Sequence, residues 1–111
     1  MNSYIKGLFY ESLSVLLLII KRYQIIKRRY RCKLGEVDII AKKNNTIIFI
    51  EVKYRHQSDM AIEAVARRHN QQTNMYNSIW LYQYSQYTPR IDVIIWYKLF
   101  MFIHYIGVAE H

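Results

Sequence analysis

Cysteine occurs once in these 111 residues, proline once and glycine three times. The lone thiol, Cys32, excludes an intramolecular disulfide, reads as packing and fits a reducing cytosol. So little glycine and proline, beside 52% apolar residues, excludes a disordered chain and points to one ordered globular domain over residues 1–111. Acidic residues are scarce as well: eight stand against sixteen Lys and Arg, a net charge of +8. That balance favours polyanions, nucleic acid first and an anionic membrane surface second. A long apolar run is also missing. The stretch 13–20 falls short of the about 20 residues that span a bilayer. Lys21-Arg22 follows it where a signal peptide would carry a small-residue cleavage site. The expectation is a soluble, cytoplasmic protein with no membrane partner.

What is present centres on residues 35–53, two β-branched runs around the polar turn Lys43-Asn44-Asn45-Thr46. This pattern predicts a β-hairpin, and Asn tolerates the left-handed backbone that a tight turn requires. A loop at Asn44-Asn45 puts Lys43 opposite Thr46 and Asp38 opposite Glu51. Opposed residues point to one face of the sheet, and alternation adds Lys53 to that face. Two facing carboxylates repel unless a proton or cation lies between them. Mg²⁺ or Mn²⁺ is the candidate, since a hard ion needs only one or two carboxylates plus water and substrate phosphate. Lys53 would then offset charge on a phosphate or activate a water. Glu36 falls beside this patch, so three of the few acids cluster there.

Upstream, the spacing predicts a helix over 3–22, with Leu13, Leu16, Leu17 and Ile20 as its core stripe. Glu11 lies near the start of that stripe. Its bland reading is a favourable charge against the helix dipole; its functional reading is a third carboxylate aimed at the hairpin. Spacing alone favours the first. Residues 23–33 alternate as an edge strand with one cationic face bearing Lys27, Arg29, Arg31 and Lys33, and Arg28 adds to the run. Edge strands carry charge against aggregation, but five cations in seven residues exceed that need and suggest phosphate contacts.

Beyond the hairpin, 54–59, including Arg55, reads as a polar loop beside the patch. A long helix is expected over 60–84, capped by Asp59, with Ala61, Ala64, Val65, Met75, Ile79 and Trp80 buried. Arg68, His69 and Gln72 interrupt its stripe, and Gln72 shares a face with Tyr76 where the pair could hold substrate. Thr88-Pro89 ends that pattern. Residues 90–97 read as a strand buried on both faces, and 101–106 as a last strand closing a second hairpin. Asp92 reads either as an ion-pair partner near Arg90 or as an accessory to the hairpin patch, and the structural role is favoured. The order helix, three strands, helix, two strands implies a mixed sheet covered by helices.

Gly7 to Glu11, Arg31-Cys32-Lys33-Leu34-Gly35-Glu36-Val37-Asp38, Phe49-Ile50-Glu51-Val52-Lys53, Ala64-Val65 and Arg90-Ile91-Asp92-Val93 occur in this order. Together they resemble the bacterial YraN-like uncharacterised protein family, over nearly the whole chain. The acid, the thirteen-residue gap and the Glu-x-Lys strand also look like the PD-(D/E)xK nuclease superfamily. The archaeal Holliday junction resolvases look similar in size and acid spacing. The resemblance implies an α/β, restriction-endonuclease-like αβββαβ core with a mixed sheet flanked by helices. It also implies Asp38 and Glu51 as metal ligands, Lys53 as the catalytic lysine and Glu11 as the matching helix glutamate. Gln72 and Tyr76 are similar to a Gln-xxx-Tyr pair of the RecB-like branch. The chain departs from the family pattern in three places. His69 stands where lysine is usual, Arg22 where glycine is usual, and Arg29 where asparagine is usual.

The leading expectation is therefore a Mg²⁺-dependent endonuclease on DNA, including branched DNA. Catalysis would rest on Asp38, Glu51, Lys53 and Glu11, and metal binding on Asp38, Glu51 and Glu11. Backbone phosphates would be held by Lys27, Arg28, Arg29, Arg31, Lys33, Arg55, Arg68 and Gln72. A homodimer would serve to cut both strands. One alternative is a non-cleaving module of the same fold on DNA or structured RNA. Another is a purely structural patch in which Asp38 and Glu51 pair with nearby cations.

Overall fold

A computed structural model describes residues 2–55, 73–98 and 100–108. Helix α1 (Ser3–Ile20) begins at Asn2, whose side-chain oxygen accepts the Ile5 N–H at 2.8 Å. Strands β1 (Gln24–Cys32), β2 (Gly35–Lys43) and β3 (Thr46–Tyr54) follow. Residues 73–83 are helical and form the described part of α2; strands β4 (Thr88–Lys98) and β5 (Met101–Tyr105) complete the chain. The five strands form one sheet in the order β1-β2-β3-β4-β5. Only β3 and β4 run parallel, so the sheet is mixed. A parallel neighbour requires a crossover, and α2 lies within it. The expected element order and mixed α/β architecture are therefore those observed.

Alternation along β3 explains the layering. Ile48 and Ile50 face α1, joined by Ile39, Ala41, Ile94 and Trp96, and they pack on Tyr10 and Leu18. Ile47 and Phe49 face the other way, where Val37, Ile40 and Ile91 pack on Met75, Tyr76 and Ile79 of α2. Both faces of the sheet are thus covered, and Ile91 to Trp96 of β4 are buried throughout, as the apolar run predicts.

The core stripe of α1 differs from the expected one. Leu16 is 57% exposed and Ile20 78%, whereas Tyr10, Glu11, Ser14 and Leu18 are buried. The end of the helix is apolar almost all round, so periodicity alone cannot choose its buried side. Ser14 marks that side. Its hydroxyl donates to the Tyr10 carbonyl and accepts from the Trp96 indole N–H, both at 2.8 Å. A small polar residue lets the helix approach the sheet while both polar groups stay paired.

The helix ends in a left-handed turn. Arg22 has φ 70, its N–H bonds to the Ile19 carbonyl, and the Tyr23 N–H bonds to that of Leu18. This is the geometry that favours glycine at the position after a helix. Arg29, within β1, has φ 50, a conformation that Asn tolerates best after Gly. Two of the three departures from the family pattern therefore fall on backbone positions where the usual residue is the better fit. Arg29 also corrects the expectation of a single cationic face on β1. Together with a register shift between Ile25 and Lys27, it breaks the alternation. Arg28 and Arg29 then both reach toward α1, while Tyr30 and Cys32 pack toward α2.

Asp92 has the structural role assigned to it. It is fully buried and accepts from Arg90 Nε and a terminal guanidinium nitrogen at 2.9 Å, from His104 Nε2 at 2.8 Å and from the Gly107 N–H at 3.0 Å. Burial pushes its carboxyl up, but the bonds from His104, Arg90 and Gly107 outweigh this and hold it below the ordinary range. Lys21 contacts His104 Nδ1 at 2.9 Å and ties the end of α1 to β5.

Candidate active site

The hairpin forms in the expected register. Lys43 pairs with Thr46, and the ladder continues through Ala41–Ile48 to Ile39–Ile50. Asn44, at φ 54, supplies the left-handed turn residue. The ladder stops one residue short of Asp38 and Glu51. From there β2 stays paired with β1, and β3 with β4, where Glu51 lies beside Val93. Asp38 and Glu51 therefore stand where the two strands part, rather than as a closed cross-strand pair. The Asp38 side chain fills the lost position in the ladder: its Oδ2 accepts the Val52 N–H at 2.8 Å. A half-buried amide is satisfied in this way by a carboxylate instead of a carbonyl.

The parted strands open a cleft of about 240 Å³ toward α1, with Asp38, Val52, Glu11, Gly7, Arg29 and Glu36 in its lining. Glu11 lies in the third turn of α1, beyond reach of the helix N-terminus, so the dipole reading is set aside. It is only 7% exposed and pairs with Arg28 at 3.3 Å. Burial raises its carboxyl above the usual range, and the Arg28 hydrogen bond and charge partly offset this. Burial likewise lifts Asp38, with the Val52 N–H and Lys53 pulling it down and Glu51 and Glu11 pushing it up, to about 6. The four predicted catalytic residues therefore share one electrostatic neighbourhood.

Their pairing within it is uneven. Lys53 Nζ lies 2.8 Å from Glu51 Oε2, and Glu51 is 8% exposed; Asp38 lines the cleft toward α1, and neither Glu51 nor Lys53 is part of that lining. Glu36, which sequence reasoning leaves outside the site, enters the cleft and draws Arg29 at 3.8 Å and Arg31 at 3.6 Å. Its only sequence signal is its place beside the patch. Among the described residues no three carboxylates, histidines or cysteines gather closely enough to chelate a metal. Asp38 and Glu51 offer the oxygen donors that a hard cation takes one or two at a time, and the raised Asp38 carboxyl follows chiefly from its burial.

The other predicted contacts are dispersed. Lys27 sits over the Tyr30 ring at 4.7 Å, Lys33 is exposed, and Arg55 donates to the Tyr54 carbonyl at 2.8 Å. Arg29 lines the acidic cleft, and Arg28 and Arg31 pair with acids that line it; the pairs of Arg29 and Arg31 with Glu36 are exposed or half-exposed, weak enough to exchange for phosphate. Tyr76, which the sequence pairs with Gln72, is buried, and its ring stacks on Phe49 at 5.4 Å. Arg68, Gln72, His69 and the expected cap Asp59 lie outside the described residues.

The profile of the uncharacterised protein family UPF0102 matches residues 10–96, a span that includes Glu11, Asp38, Glu51 and Lys53. A UPF0102 protein of Lachnoclostridium phytofermentans is 35% identical over 103 residues, covering 88% of this chain and 87% of its own. One from Rhizobium etli is 32% identical over 92 residues, covering 80% and 75%. A Fusobacterium nucleatum relative reaches 50% identity over 70 residues, covering 61% and 59%.

Proposed function

The chain belongs to the uncharacterised protein family UPF0102, and from that premise we propose that it is a Mg²⁺-dependent endonuclease of restriction-endonuclease-like fold acting on DNA, including branched DNA. The observation that carries this reading is the parting of β2 and β3 at Asp38 and Glu51, with Lys53 against Glu51 and cations around the opening. Asp38 and Glu51 would hold the ion, with Glu11 as an outer carboxylate. Bound there, Mg²⁺ or Mn²⁺ supplies charge neutralisation for the scissile phosphate. Lys53 is placed to donate to a non-bridging phosphate oxygen or to orient the attacking water. Arg28, Arg29 and Arg31 would exchange their carboxylate partners for backbone phosphates, which position the substrate without reading its sequence.

By length and composition α1 could cross a bilayer. Its packing on the sheet, with Glu11 buried against Arg28, supports a core helix of a soluble protein instead. A homodimer would bring two sites to the two strands. One observation favours a second reading, a non-cleaving module on DNA or structured RNA: Glu51 and Glu11 each hold a cation of this chain rather than a shared centre.

Nicking of supercoiled plasmid separates the two. The nuclease reading expects nicks that need Mg²⁺ and disappear in Glu51→Ala. Binding that survives the substitution, with no product under either metal, belongs to the second reading. Equal nicking by both proteins would refute the assignment of the site.

A further inference from the structure

On the α2 side of the sheet a second opening, an apolar groove of about 390 Å³, runs between the end of β1 and α2. Its size falls within the about 300–1,000 Å³ of small-ligand sites. Cys32 and Ile79 lie at its base, and one wall is fixed where Gln83 Nε2 donates to the Tyr30 hydroxyl at 2.5 Å. At its rim stand two large apolar side chains, Leu34 at 61% and Tyr82 at 85% exposure. Single exposed apolar residues need no explanation, but two bordering one apolar groove leave a surface that a flat guest would cover.

Charge indicates which guest. Lys33 lines the groove, and Arg31, on the same edge strand, has 72% of its side chain exposed. A flat apolar ligand attached to anionic links is a nucleobase in a single strand, recognised by aromatic stacking and phosphate contacts. Position agrees with this. Tyr30 pairs with Val37, the residue before Asp38, and β1 is an edge strand. A single strand leaving the groove therefore crosses the β1 edge beside Arg31 and meets the cleft that Arg29, Glu36 and Asp38 line.

The geometry points to a base-binding groove in which Tyr82 and Leu34 hold an unstacked base of a single-stranded arm, while Lys33 and Arg31 hold its flanking phosphates. The inference rests on the nuclease reading and narrows its substrate to DNA in which a duplex meets a single strand. A continuous duplex offers no unstacked base without the cost of extruding one.

The test is fluorescence anisotropy in metal-free buffer, where nothing is cleaved, with three probes. They are a splayed-arm DNA, the same DNA with abasic sites in its arm, and a continuous duplex of equal length. Wild type is expected to bind the splayed arm more tightly than the duplex. Tyr82→Ala and the abasic arm should each weaken arm binding by about 5- to 100-fold, and in combination lose little more than either alone. Leu34→Ser provides a second variant at the same rim. Circular dichroism will show that these substitutions of exposed side chains leave the fold intact. Independent, additive losses would overturn the groove, as would no loss at all in Tyr82→Ala. So would a dimer that dissociates on this substitution while arm affinity stays constant, since the guest would then be a second copy. Each of these three results leaves the cleft reading standing if the wild type binds DNA. Absence of binding to all three probes overturns both.

Discussion

Two aspartates in this sheet are shifted in opposite directions. Asp38 is raised from an ordinary carboxylate to about 6 chiefly by burial. In the metal-free protein the folded state therefore binds its proton more tightly than the unfolded state, and this group's contribution to stability declines as pH rises from about 4 to 6. Asp38→Asn keeps an oxygen for the Val52 N–H and removes the charge. It should raise the melting temperature at pH 7.5, with a stability gain of up to about 3 kcal/mol, and the gain should vanish near pH 4. Mg²⁺ should raise the melting temperature of wild type and not that of Asp38→Asn. Asp92 behaves the other way. Its carboxyl is depressed by His104, Arg90 and Gly107 against the effect of burial, so its contribution is present above about pH 4 and lost as pH falls through its lowered value. Asp92→Ala leaves Arg90 and His104 without their common acceptor, and chemical denaturation should show a loss of roughly 3–5 kcal/mol. Sequence pattern separates these two aspartates only in part. Asp38 stands out because it opposes an acid across a turn, but the ring of donors around Asp92 comes from residues as far apart as Arg90 and Gly107.

At the level of elements, the register of the hairpin is legible in Asn44-Asn45 and the β-branched runs, because a two-residue loop leaves one alignment for the flanking strands. The point where β2 and β3 separate is not. It depends on β3 keeping its pairing to β4 and β2 to β1, contacts between distant parts of the chain. The buried side of α1 is equally hidden, since apolar residues surround its second half and only Ser14 distinguishes the sheet-facing side. Backbone geometry adds two expectations. Arg22 holds a left-handed conformation at the end of α1, so Arg22→Gly should stabilise the protein by about 1 kcal/mol, read as a rise of several degrees in melting temperature. Gly35 has φ 144, and an added Cβ would lie 2.7 Å from the Met75 sulfur of α2. Gly35→Ala should therefore cost about 1–3 kcal/mol through backbone strain at the start of β2, with the flexible Met75 side chain moving aside.

Across the whole molecule, the net charge of +8 and the scarcity of acids point to a polyanionic partner on composition alone. Composition does not reveal that these cations are already paired with acids: Arg28 with Glu11, Arg29 and Arg31 with Glu36, Lys53 with Glu51. On the proposed function, DNA binding would exchange these carboxylate partners for phosphate, and it should weaken steeply with salt. The central claim is that the parted strands form a metal-dependent phosphodiesterase centre. Its most direct test is cleavage of end-labelled duplex, single-stranded and four-way-junction DNA in Mg²⁺, Mn²⁺ and EDTA by wild type and Glu51→Gln. The expected result is metal-dependent product from wild type, strongest where duplex meets single strand or branch, and none from Glu51→Gln or in EDTA. Product that persists in Glu51→Gln, or a wild type that binds these substrates and leaves all of them intact in either metal, would contradict it.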